Sequence, residues 1–200
     1  MKDFEDLFWD EQWDKILEEI AKDKSLIRTI NLDRLAGKRL EYQLVENGKE
    51  DALVYPYGEF SDLIKLIEYC KKEGMLGVTI PQATAFQQLE QIEALLKERH
   101  HIDEEAPGER SGLLIAAALN DFELVKFFIE NGAFEQNWDF ENRTAIDLTT
   151  SKEIIAFLRK RGVKTKEERD KEFDEYCISI EQRNKLRDLK VRQRMRQNSG

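Results

Sequence analysis

Five metal-ligating side chains crowd into one short stretch: His100, His101, Asp103, Glu104 and Glu105. Imidazole mixed with carboxylate suits zinc or another divalent transition metal. Adjacent residues on an extended arm point to opposite sides, however, so both imidazoles do not reach one ion and a solvated arm is expected. Cys70 paired with a histidine has the residue types of a nucleophilic site, but it falls on an amphipathic stretch that predicts a buried, inert thiol. Ser111, in GERSG (108–112), stands one place late for the G-x-S-x-G elbow with no strand before it, and is read as a turn and capping hydroxyl. Asn142-Arg143-Thr144 has the form of a glycosylation acceptor and is read as a turn. Phosphate loops, H-E-x-x-H and dinucleotide fingerprints are missing from the sequence. Between residues 23 and 80, Asp33, Arg34, Glu41, Tyr57 and Glu59 offer acids, a cation and a phenol whose mutual geometry the sequence does not give. No catalytic residue, metal or cofactor is expected.

Composition narrows the classes. Of 200 residues, 40% are apolar and 36% charged, a surface-rich balance that suits an elongated helical molecule. The net charge of -9 argues against general affinity for nucleic acid or anionic lipid. The opening MKDFEDLFWDEQWDKIL has neither a basic start nor an apolar core, so no signal peptide is read in it. No apolar run reaches membrane-spanning length, and two cysteines are too few for a disulfide framework. A cytoplasmic protein is expected.

The elements that position these residues come next. Residues 3–22 read as a helix with Trp9, Trp13, Ile16, Leu17 and Ile20 on one face. KRLEYQLVENGKEDALVYPYG alternates apolar and polar residues around Asn47-Gly48, which predicts a β-hairpin whose second arm Pro56 confines to an edge. SDLIKLIEYCKKEG predicts a helix with a serine cap and a glycine stop. Residues 165–196 predict one or two helices. Their charge is segregated: seven acidic against three basic residues over 165–182, then seven basic against one acidic over 183–196. That basic tail is the one hint of nucleic-acid contact, and a solvated helix end is the preferred reading.

The middle of the chain repeats. A shift of 33 residues places Arg110 on Arg143, Ser111 on Thr144, Leu113 on Ile146, Glu90 on Glu123 and Ala83 on Ala116. Two short helices and an extended arm per 33 residues is the pattern of ankyrin repeats. The copy RSGLLIAAALNDFELVKFFIENGAFEQNWDFEN resembles that family, with Ser111 at the motif threonine, Ala116-Ala117 at the paired alanines and Asn131-Gly132-Ala133 as the closing stop. Small alanines permit close stacking of neighbours. Leu124, Val125, Phe128 and Ile129 form the apolar stripe of the second helix. Asn120 stands at the inter-helix glycine, and Asp139, Asn142 and Thr144 are turn formers and cap candidates. The copies on either side are degenerate, as terminal repeats are.

The expected fold is mainly α: an N-terminal α+β capping segment (1–80; helix, β-hairpin, helix), a short ankyrin-like solenoid (81–163), and a C-terminal helix with its basic tail (164–200). The resemblance implies a protein-binding module that engages its partner through arm tips and inner helices, as an inhibitor, immunity-type or adaptor protein. On this chain the candidates are Trp138, Phe140, Asp139, Glu141, Gln136 and Asp147, with Leu114 weaker and Phe134 assigned to packing. Trp138 and Phe140 have no consensus role in the family's short polar arm. An aromatic anchor rimmed by acid has the look of an interface hot spot; the alternative is that one or both rings cover the neighbouring arm or dock the C-terminal helix. The expected partner is a protein with a basic or aromatic-accepting surface. An enzyme with its site in 23–80 and the repeats as a substrate dock is the alternative.

Overall fold

The structure is a computed structural model in which residues 4–49, 61–106 and 110–197 are described. It is mainly helical, with one two-stranded sheet among the described residues. Met1–Val163 form one compact unit and Lys164–Gly200 a second.

The N-terminal stretch departs from expectation twice. The chain breaks between α1 (Phe4–Trp9) and α2 (Trp13–Lys22), with Glu11 in the left-handed region at φ 55°. Phe8 is then buried edge-on against Trp13, while Trp9 turns outward and is 72% exposed. The first arm of the expected hairpin is instead part of α3 (Leu32–Glu46), and the second arm lies outside the described residues. The apparent alternation Leu40-x-Tyr42-x-Leu44 is that of a helix buried on two sides. Ala36, Leu40 and Leu44, spaced by four, join the core of the repeats. Leu35 and Tyr42, spaced by seven, pack with α1, α2 and α4 (Ser61–Lys72) in a separate core. Asn47-Gly48 is the helix stop and not a hairpin turn. Gly48 has φ 68°, and Gly48 N and Lys49 N donate to Val45 O and Leu44 O at 2.9 and 2.8 Å. Gly74 ends α4 in the same way, as its sequence predicts.

From residue 80 the period is written into the backbone. Helices α6 (Leu89–Lys97) and α8 (Phe122–Glu130) are offset by 33 residues, as are the positive-φ residues Gln87 and Asn120, and Arg99 and Gly132. The following pair, α9 (Ala145–Leu148) and α10 (Lys152–Lys160), closes on Gly162, three residues early. Strands β1 (Glu105–Ala106) and β2 (Arg110–Ser111) pair Glu105 with Ser111, and one period later Trp138 bridges Thr144. The first helices stack in the order α3, α5 (Ile80–Ala85), α7 (Gly112–Ala118), α9. Every residue of α5 and α7 is buried, because α3 lies against both.

In the second unit a single helix, α11 (Lys166–Gln197), is opened by a Thr165–Glu168 cap. Phe173, Tyr176, Ile178, Leu186 and Leu189 are more than half exposed on it.

Candidate functional site

Four of the expected site residues, Trp138, Asp139, Phe140 and Glu141, fall on one hairpin tip, with Gln136 just before it and Asp147 beyond it in α9. Asp139 is wholly buried. Its Oδ1 accepts the backbone N–H groups of Glu141 and Arg143 at 3.0 Å each, and its Oδ2 accepts Arg143 Nε at 2.8 Å and NH2 at 2.5 Å. Arg143 also reaches Glu141 at 3.4 Å. Asn142, at φ 61°, turns the chain, and Asp139 N donates to Arg143 O at 3.0 Å. A carboxylate with four donors inside a five-residue loop fixes that loop's shape.

Asp139 is therefore a scaffold group and does not present a surface to a partner. Asp147 is similarly occupied: its Oδ2 accepts Thr144 N at 2.8 Å, closing a capping box with Thr144 at the start of α9. Gln136 donates to Gly162 O at 2.9 Å and ties the arm to the last stop. Left facing outward on the tip are Trp138, 41% exposed, and Phe140, 50% exposed. Glu141 lies at the edge. Phe134, expected to pack, is also exposed, its N–H held by Asp103 Oδ1 at 2.9 Å. Leu114 is buried, and α5 and α7, wholly covered, offer no open face for a partner.

Phe140 leads into a second feature. The Arg110 guanidinium sits 5.5 Å from its ring centroid, and Arg110 lines a cleft of about 480 Å3 with Trp9, Asp33, Arg34, Lys38 and Glu41. Two arginine–aromatic pairs thus flank the cleft, since Arg34 stacks at 4.4 Å on Trp9 and donates to Trp9 O at 3.2 Å. Glu41 is shared between Lys38 at 2.8 Å and Arg110 at 3.2 Å, and Lys38 continues to Glu11 at 2.5 Å. Asp33 accepts Gln82 Nε2 at 2.6 Å. Gly37 completes the floor, because a Cβ there would lie 2.7 Å from Arg110 NH1.

No known family model matches the chain, and no curated protein matches it as a relative.

Three of the five residues named for an N-terminal enzyme site, Asp33, Arg34 and Glu41, do share the cleft, while Tyr57 and Glu59 lie outside the described residues. Asp33 and Glu41 are held by donors and cations, an arrangement suited to binding and orientation. Elsewhere, His100 Nδ1 meets Glu104 Oε2 at 3.0 Å and His101 Nδ1 accepts Asp103 N at 3.1 Å, so the two imidazoles are engaged separately. No metal-holding cluster occurs among the described residues. Cys70 is buried in the N-terminal core, and burial pushes its thiol up to about 12. Ser111 stands at the N-cap of α7, but its buried hydroxyl makes no cap bond. No helix among the described residues is long and apolar enough to cross a membrane.

The sequence missed Trp9, Lys38 and Arg110 as site residues. Arg110 was legible as the repeat-mate of Arg143; its partner Glu41, 69 residues upstream, was not.

Proposed function

We propose that this chain is a short ankyrin-repeat protein that holds a protein partner and carries out no chemistry of its own. The stacked helix pairs offset by 33 residues, and the hairpins in the same register, support the solenoid. One observation carries the binding reading: Trp138 and Phe140 stay exposed on a loop whose shape the buried Asp139–Arg143 pair fixes. Exposed aromatic side chains on a pre-ordered loop lose little freedom on binding, which suits a hot spot. With α5 and α7 covered, the tips carry the contact. The negative charge favours a basic or aromatic-accepting protein partner in the cytoplasm, in an inhibitory, immunity-type or adaptor role.

The test is affinity capture from lysate with wild type and a Trp138→Ala/Phe140→Ala double variant whose melting curve shows it folded. A protein held by the wild type and lost from the variant supports the reading; one held equally by both removes the tip from it. The second reading, an enzyme, is favoured by the gathering of Asp33, Arg34 and Glu41 in one cleft. A turnover lost in Glu41→Gln but kept in the tip variant would establish it.

A further inference from the structure

The repeat supplies its own template for a ligand. In the second hairpin Arg143 Nε donates to Asp139 Oδ2 at 2.8 Å. In the first, the residue at the place of Asp139 is Ala106, paired with Arg110 across the strands. Arg110 is nine-tenths buried, one NH2 bond runs to Glu41, and its Nε meets no acceptor among the described residues. Arg34, on the same cleft, also has a buried Nε with no acceptor among the described residues. Buried donors left without acceptors are rare. Arg39 Nε is another, outside the cleft, and what sets Arg110 and Arg34 apart is that both line the same cavity.

We propose that the cleft is a binding site for a carboxylate, held by Arg110 and Arg34 as Asp139 is held by Arg143. This goes beyond the tip-mediated contact and does not depend on it. Two open donors face one open acceptor. The Nε–H groups of Arg110 and Arg34 have no acceptor among the described residues, and Glu41 Oε2, though 2.8 Å from Lys38 Nζ, accepts no hydrogen bond from them, while Asp33 is engaged by Gln82. A guanidinium fork matches a planar carboxylate. The double charge of a phosphate would stand beside Glu41 and Asp33 at greater cost. Trp9 and Phe140 hold the guanidiniums at the two sides, and Gly37 leaves room for Arg110 against α3.

The test follows the Arg Nε–Hε resonances of the isotope-labelled full chain during titration with N-acetylglutamate, its neutral analogue N-acetylglutamine and inorganic phosphate. Saturable shifts of the Arg110 and Arg34 signals with N-acetylglutamate alone are expected. Arg110→Lys, which keeps the charge but not the fork, weakens binding by about tenfold or more. Ala106→Asp supplies the carboxylate internally and abolishes binding. A neutral-residue peptide bearing one glutamate separates the two sources: tighter binding than N-acetylglutamate assigns the group to a protein, and no gain assigns it to a free organic acid. Absence of a shift in wild type, equal shifts with N-acetylglutamine, or tighter binding of phosphate overturns the proposal. Should neither variant fold, the wild-type titration alone decides.

Discussion

Arg110 and Arg143 hold the same place in successive hairpins, and each takes its carboxylate from a different part of the chain. Arg143 finds Asp139 four residues away, whereas Arg110 finds Glu41 on α3, 69 residues upstream. The N-terminal segment is thereby tied to the repeat array through one guanidinium donor of Arg110, where Arg143 gives Asp139 two. Burial of the other side of α3 in its own core makes the segment more than a lid on the array.

The two pairs differ in consequence. Asp139→Ala removes the two shorter carboxylate bonds of a buried guanidinium, leaving it Glu141 at 3.4 Å, and takes the acceptor from two backbone N–H groups, so a loss of about 3–5 kcal/mol is expected. Glu41→Ala costs less, about 1–3 kcal/mol, because Lys38 retains Glu11 and Arg110 retains the Phe140 ring. Urea denaturation of both variants ranks them, and the reverse order would refute this division.

Asn120 carries a comparable load. Its φ of 57° is one that glycine adopts more easily. Its side chain, however, accepts Thr149 Oγ1 at 2.8 Å, Thr150 N at 2.9 Å and Ser151 N at 3.1 Å, and donates to Asn47 Oδ1 at 3.0 Å. Asn120→Gly should gain up to about 1 kcal/mol from backbone relief. It should lose about 1–3 kcal/mol from the unpaired groups. The predicted result is net destabilisation, seen as a lower Tm; a higher Tm would mean that the side-chain bonds add little.

That residue shows where sequence reading stops. Asn120 was recognisable as a tolerable substitute for glycine, from its place between two helices. Its bonds to Asn47 and to the next turn depend on which elements lie side by side, and periodicity does not report that. The second helices of the repeats, α6, α8 and α10, were legible because each buries one face, giving a single stripe of period 3.6. Helix α3 was not, because burial on two faces turned Leu40, Tyr42 and Leu44 into an alternation with the period of a strand. At the site, Trp138 and Phe140 were visible as aromatics out of place. Asp147 looks like a surface acid until its bond to Thr144 is seen, and Asp139, legible as a turn former, gives no sign in the sequence of its burial against Arg143.

The two cysteines should separate cleanly under a thiol reagent. Cys70 is buried with its thiol pushed up to about 12, whereas Cys177 is partly exposed. One thiol per chain should react in the native state near neutral pH, and two in denaturant. The raised folded-state pKa also sets a pH dependence. Its contribution to stability is fully present below the ordinary thiol value near 9 and is lost as pH rises from there towards 12. Cys70→Ser should fall less steeply over that alkaline window, and an unchanged slope would assign the fall to other groups.

Lys49 joins the far end of α3 to the last repeat. Its ammonium donates to Asp147 O and to Thr149 O, the latter at 2.7 Å, at the C-terminal end of α9. Burial holds its pKa below the usual lysine value, with Asp147 acting in the opposite direction. A four-residue helix leaves its last carbonyls without intrahelical donors, and a cation there satisfies them while meeting the negative end of the backbone dipoles. Lys49→Met keeps most of the side-chain length and removes the donor, so a loss of about 1.5–3 kcal/mol is expected. Amide exchange locates the effect: faster exchange confined to α9 and α10 would show that Lys49 secures the last repeat, whereas uniform acceleration through residues 4–163 would show it secures the whole array.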